Sequence, residues 1–94
     1  MMTGIERISA ERKRQIEEED FTAAHDDLEN ADELAIAAAC YAMPPRKETF
    51  RRFINWYWPW NEEMWKPSPD NRIRELEKAG ALIAAEIDRL LRLI

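Results

Sequence analysis

The stretch Phe50–Pro69, FRRFINWYWPWNEEMWKPSP, decides how the rest of the chain is read. It holds all four tryptophans, Trp56, Trp58, Trp60 and Trp65, together with Phe50, Phe53 and Tyr57, which is seven of the nine aromatic residues within sixteen positions. Aromatic side chains dominate core and interface energetics, so a 94-residue chain with one such cluster folds or binds around it. Phe50, Phe53, Ile54 and Tyr57 recur at i, i+3, i+4 and i+7, which predicts one face of a short helix over Arg46–Tyr57. Pro59 limits that helix, Asn61 can cap a single turn through Trp65, and Lys66-Pro67-Ser68-Pro69 reads as a rigid extended connection.

Downstream, Ser68 at the N-cap and Pro69 at the first helical position predict a last helix from Pro69 to about Leu93. Its apolar residues Ile73, Leu76, Gly80, Ile83, Ile87, Leu90 and Ile94 alternate by three and four, the a/d pattern of a coiled coil over three heptads. Such a seam packs within the monomer or against a copy of itself, and the chain is expected to form a homo-oligomer. Glycine costs about 1 kcal/mol relative to alanine in a helix, so Gly80 predicts a close backbone contact. Asp88 and Arg92 form a well-oriented surface pair.

Upstream, Thr3 and Glu6 are spaced as a capping box and predict a helix over Gly4–Glu19. Its apolar stripe is thin (Ile5, Ile8, Ile16), with Arg12 where another apolar residue belongs, so it must dock on something to persist. Glu17, Glu18, Glu19 and Asp20 load the negative end of the helix dipole, offset by the i,i+4 pairs Lys13–Glu17 and Arg14–Glu18. Phe21–Glu29 reads as a turn anchored by Phe21. Asn30 and Glu33 suggest a second capping box before a helix over Ala31–Met43, apolar on every side, small-residued and therefore central. Pro44-Pro45 ends it. The expected fold is all-α, a single domain over 1–94, a small helical bundle or hairpin with a Trp-rich elbow before a long C-terminal helix.

Composition agrees with this. Hydrophobic residues make up 46% and charged residues 35%, with two glycines, and few side chains favour strands. No apolar run approaches the ~20 residues of a membrane span, and the charged N-terminal stretch is not a secretory signal. One cysteine, Cys40, cannot form an internal disulfide and fits a reducing cytoplasm, which is the expected location. It lies in an apolar helix without basic neighbours, as a buried inert thiol does. Net charge is −5 and unevenly placed: residues 1–45 hold four basic and eleven acidic side chains, residues 46–94 ten basic and eight acidic. An acidic half disfavours duplex nucleic acid and suits a metal or a basic protein surface.

Taken together, Ala10–Gln15, the turn from Glu18 to Asp27, Asp32–Ala42, Trp58–Trp60, Trp65–Pro67 and Lys78–Leu90 resemble a group of small proteins encoded by tailed phages and prophages. That group shares an AER-x-RQ helix, an EHDD-like turn, a GELA-x-AAACYA helix, WPW, WKP and a closing KAGALI-x-AEI-x-RL helix. The chain departs from the pattern at Asp20 and Asp32, where glycine is usual, and at Phe21, where tryptophan is usual. The resemblance implies a phage setting and a helical fold, with no settled activity.

Two constellations carry candidate chemistry. The first is acidic. Glu18, His25, Asp26, Asp27 and Glu33, among Glu17, Glu19, Asp20 and Asp32, offer oxygen ligands and one imidazole where two helices meet, suited to Mg²⁺ or Mn²⁺. MazG-like nucleotide pyrophosphohydrolases are similar in placing acidic pairs on facing helices, although Phe21 stands where their third glutamate falls. The same residues also serve as helix caps and turn formers, which needs no metal. The second is the aromatic elbow, Trp58, Trp60 and Trp65 with Arg51, Arg52 and Lys66 (and Arg46 and Lys47 nearby), where bases or a partner's side chains could stack and phosphates pair.

The leading expectation is a non-enzymatic phage accessory protein without a cofactor. It would bind a host defence protein or a small nucleotide signal through the Trp58–Trp65 elbow, as a counter-defence factor. The alternative is a metal-dependent, MazG-like nucleotide pyrophosphohydrolase using Glu18, Asp26, Asp27 and Glu33, the metal activating water.

Overall fold

A computed structural model describes residues 1–22, 24, 32–46 and 48–94. Among them are four α-helices, α1 (Gly4–Glu18), α2 (Glu33–Ala42), α3 (Phe50–Tyr57) and α4 (Arg72–Arg92), with a 3₁₀ turn at Glu62–Met64. No strand occurs among the described residues, so the all-α expectation holds. No described helix is long and apolar enough to cross a membrane.

The capping box at the start of α1 forms as its spacing predicts. The Glu6 N–H donates to Thr3 Oγ1 at 3.2 Å and the Thr3 N–H to Glu6 Oε1 at 2.8 Å. At the other end Asp20 takes a left-handed conformation (φ 58°), and the Phe21 N–H donates back to the Gln15 carbonyl at 3.0 Å. The start of α2 differs from expectation. Asp32 occupies the N-cap position with φ 71° and its side chain makes no cap bond, while Asn30 lies outside the described residues. Glu33 is turned instead toward the elbow, where it accepts from Trp60 Nε1.

The last helix also begins later than Ser68-Pro69 predicts. Asn71 is its N-cap, accepting from the Arg74 N–H at 3.1 Å, and Ser68 donates its N–H to Glu75 Oε2 at 3.3 Å. The buried carboxylate of Glu75 draws Ser68 into a turn ahead of the helix, and that turn overrides the local capping preference.

The core lies where α2 meets α4. Leu34, Ala37, Ala38 and Tyr41 pack on Ala79, Leu82 and Ala85, the alanines allowing close approach of the two backbones. Nothing basic stands in the last turn of α2, and α4 supplies the missing cation. Arg72 Nη1 donates to the Tyr41 carbonyl at 3.1 Å and the Met43 carbonyl at 3.3 Å, and Nη2 to that of Ala42.

The second neighbour of α4 is α1, and its thin apolar stripe is explained by a polar seam. Glu11 and Gln15 are the buried residues of α1, whereas Ile5 and Ile16 are exposed. Glu11 accepts from Arg14 (2.8 and 2.9 Å) and from Arg74 of α4 (2.5 Å), Arg7 pairs with Glu77 at 3.2 Å, and Arg12 donates to the Phe21 carbonyl at 3.0 Å. Burial pushes the Glu11 carboxyl up, but its bonds to Arg14 and Arg74 outweigh that and hold it below the ordinary range. Ile8 covers Gly80 so closely that a Cβ there would lie 2.5 Å from Ile8 Cδ1, the backbone contact expected of that glycine.

Candidate aromatic groove

Tyr41, buried at the end of α2, is the post around which the elbow winds. Its ring lies 4.6 Å from that of Trp65 and 5.7 Å, edge-on, from that of Trp58. Trp58 in turn packs at 4.9 Å on Trp65 and 5.5 Å on Trp60, and Trp60 reaches Phe21 at 6.1 Å. These offset and edge-on contacts suit the ring quadrupoles. The polar edges are held as well: Trp58 Nε1 donates to the Asn61 carbonyl at 3.0 Å and Trp60 Nε1 to Glu33 Oε2 at 2.9 Å. The Tyr41 hydroxyl accepts from the Lys66 N–H at 3.1 Å, and burial pushes its pKa up to about 12. Lys78 closes the knot from α4, donating to the Lys66 carbonyl at 2.6 Å and lying 5.6 Å above the Tyr41 ring. Burial first, then Arg74, holds its ammonium below the usual lysine range.

The three tryptophans are therefore half-buried, with one side in the core and the other lining an open groove of about 840 Å³. α3 forms the opposite wall through Arg51, Ile54 and Asn55. The volume falls within the ~300–1,000 Å³ of small-molecule sites, and the lining mixes rings with a few polar groups as such sites do.

Of the elbow residues singled out from sequence, Trp58, Trp60, Trp65 and Arg51 meet in this groove. Arg52 does not. It lines a separate hollow of about 260 Å³ with Phe53, Trp56 and Tyr57. Lys66 also lies outside it, pairing with Glu19 Oε1 at 3.4 Å. The helical face of α3 is less of a core element than its periodicity suggests: Ile54 is buried, Phe50 and Phe53 are half-buried, and Tyr57 is exposed. Trp56 is 79% exposed, and its position off the 50/53/54/57 face was the available signal. Asn55, on the groove wall, carried no signal in the sequence.

In the acidic constellation, His25, Asp26 and Asp27 lie outside the described residues. Glu18 is exposed on α1 and pairs with Arg14 at 3.2 Å, and Glu33 accepts from Trp60. Among the described residues no three of His, Cys, Asp and Glu gather to hold a metal. Cys40 is fully buried, and burial pushes its thiol up to about 11, where it is a poor nucleophile.

The fold and groove define a small all-α protein with an aromatic cleft built on one buried tyrosine. No family model, no curated protein and no solved structure matches the chain.

Proposed function

We propose that the chain acts by binding, with the groove between α3 and the tryptophan elbow as its site and a small nucleotide signal as its ligand. One observation carries the reading: Trp58, Trp60, Trp65 and the exposed Arg51 line one cleft of about 840 Å³, with Asn55 and a single carboxylate, Glu62, beside them. Rings accept a base by stacking at ~1–3 kcal/mol each, and a guanidinium fork matches a phosphate. The resemblance to phage and prophage proteins makes sequestration of a host immune signal the fitting purpose, in the cytoplasm of an infected bacterium. A host defence protein, inserting an aromatic or apolar side chain into the same cleft, is the second partner class; Trp and Arg are frequent anchors of such contacts.

Titration of the whole chain with mono-, di- and cyclic nucleotides, followed by calorimetry and tryptophan emission, tests this. Saturable binding weakened about tenfold or more by Arg51→Ala is expected, since a charged hydrogen bond contributes ~1.5–3 kcal/mol. Absence of binding by any nucleotide, or binding indifferent to Arg51→Ala and Asn55→Ala, removes the nucleotide reading. The same variants, indistinguishable from the parent chain in infected cells, would remove the site altogether.

A further inference from the structure

The regular a/d seam of α4 does not face the core. Ile73, Leu76, Ile83, Ile87, Leu90 and Leu91 are each between 45 and 60% exposed, while Glu75, Ala79, Leu82 and Glu86 are buried. At 3.6 residues per turn, α4 has three sides. One carries Ala79, Leu82 and Ala85 against α2. A second carries Arg74, Glu77 and Gly80 against Arg7, Ile8 and Glu11 of α1. The third, a stripe roughly 100° wide, holds the exposed aliphatic residues.

We infer that a second copy of this chain covers that third side, α4 packing against α4 of its twin about a two-fold axis. This goes beyond the groove and does not depend on it. Three observations select this occupant. A strict alternation by three and four is the 3.5-residue repeat, which keeps one face in register with another helix over its length. Ile73 and Ile87 at a with Leu76 and Leu90 at d follow the distribution that favours two strands, from which Gly80 at a and Ile83 at d depart. Each such side chain represents ~60–120 Å² of burial, so six half-exposed ones offer several hundred Å² toward the ~800 Å² per partner of a stable interface. Gly80, the middle a position of the repeat, lies under Ile8 of α1, so the part of the stripe open to a twin is Ile73 and Leu76 before it and Ile83 to Leu91 after it. A lipid surface fits less well, because the chain carries −5 and the stripe has no cationic rim of its own.

Sedimentation equilibrium of the whole chain, repeated on Ile83→Asp/Ile87→Asp, tests the pairing. The parent chain is expected at twice the monomer mass, and the doubly substituted chain at monomer mass with its helical circular dichroism intact, the dissociation constant rising by roughly 100-fold or more. Ile83→Cys is expected to give a covalent dimer on mild oxidation while the buried Cys40 stays reduced. A parent chain that is monomeric at every concentration overturns the inference, as does a dimer indifferent to the double substitution. A chain that remains a monomer and binds neutral vesicles also overturns it. If the double substitution unfolds the helix, failure of Ile83→Cys to cross-link overturns it instead.

Discussion

The Arg72 guanidinium lies across the C-terminal end of α2, bonded to the Tyr41 carbonyl at 3.1 Å while Tyr41's own hydroxyl receives the Lys66 N–H. One arginine from the first turn of α4 thereby fixes the residue on which the aromatic elbow rests. Arg72→Ala removes the carbonyl bonds and a charge favourable to the helix dipole, and leaves buried Glu75 without its 3.4 Å partner. A loss of ~2–3 kcal/mol is expected, read as a fall in thermal midpoint of roughly 8–24 °C for a chain of this size. Arg72→Lys keeps the charge but not the fork, so it should recover less than half. A lysine variant as stable as the parent would mean the dipole alone matters.

Gly80 sits under Ile8 with no room for a methyl group. Gly80→Ala gains ~1 kcal/mol of helix propensity but forces Ile8 aside at the ~1–3 kcal/mol of an overpacked contact. The net expectation is loss of up to ~2 kcal/mol, the difference between those two effects. Ile8→Ala combined with Gly80→Ala should restore the propensity gain. Chemical denaturation of the two single variants and the double variant gives the coupling directly, and additivity would exclude the contact.

Asp20 and Asp32 hold the two positive φ angles found on non-glycine residues of the described chain. Left-handed backbone costs an L-residue ~1–2 kcal/mol, less for Asp, so Asp20→Gly and Asp32→Gly should each stabilise by ~0.5–1 kcal/mol despite glycine's freedom when unfolded. A denaturant midpoint that drops in both would show that these turns are favoured by Asp side-chain bonding rather than merely tolerating it.

Acid should release α1 before it melts the core. Glu11 titrates below its ordinary value in the folded chain, so the stability it contributes is present above the unfolded pKa near 4.5 and is lost as pH falls through the lower folded value. Glu11→Ala is expected to cost ~2–3 kcal/mol at neutral pH, below the ~3–5 of a wholly buried pair because Arg14 and Arg74 reach solvent. It should also flatten the stability profile below pH 4.5. An unchanged acid limb would assign the transition to other carboxylates.

Cys40 offers a clean reading of global opening. Its raised pKa and full burial predict no labelling by thiol reagents at neutral pH in the folded chain, with labelling rising only as denaturant unfolds α2. Rapid reaction under native conditions would show that α2 detaches on its own.

Much of this was legible in sequence because local signals and tertiary context agree. The Thr3–Glu6 box, the apolar α2, the stop at Pro44-Pro45 and the Gly80 contact follow from spacing and backbone chemistry alone. Long-range polar contacts were not legible. Nothing local in Glu75 says that it will pull Ser68 out of a capping role, and nothing in Arg72 says that it will cap another helix thirty residues upstream. The docking of α1 was hidden for the same reason, since a hydrophobic count cannot anticipate a helix that packs through Glu11 and Gln15. In the groove, the tryptophans announced themselves by composition; the helical turn between Arg51 and Arg52 on α3 puts only Arg51 on the groove side, and the pairing of Lys66 with Glu19 takes it elsewhere.

The tryptophan arrangement also makes the molecule its own spectroscopic gauge. Trp56 stands in water, whereas Trp58, Trp60 and Trp65 lie close enough and at steep enough angles for their indole transitions to couple. Emission sums all four indoles, whereas the coupled near-ultraviolet dichroism of Trp58, Trp60 and Trp65 follows the cleft and its tyrosine. The cleft of a 94-residue chain can thus be watched by its dichroism without attaching any label.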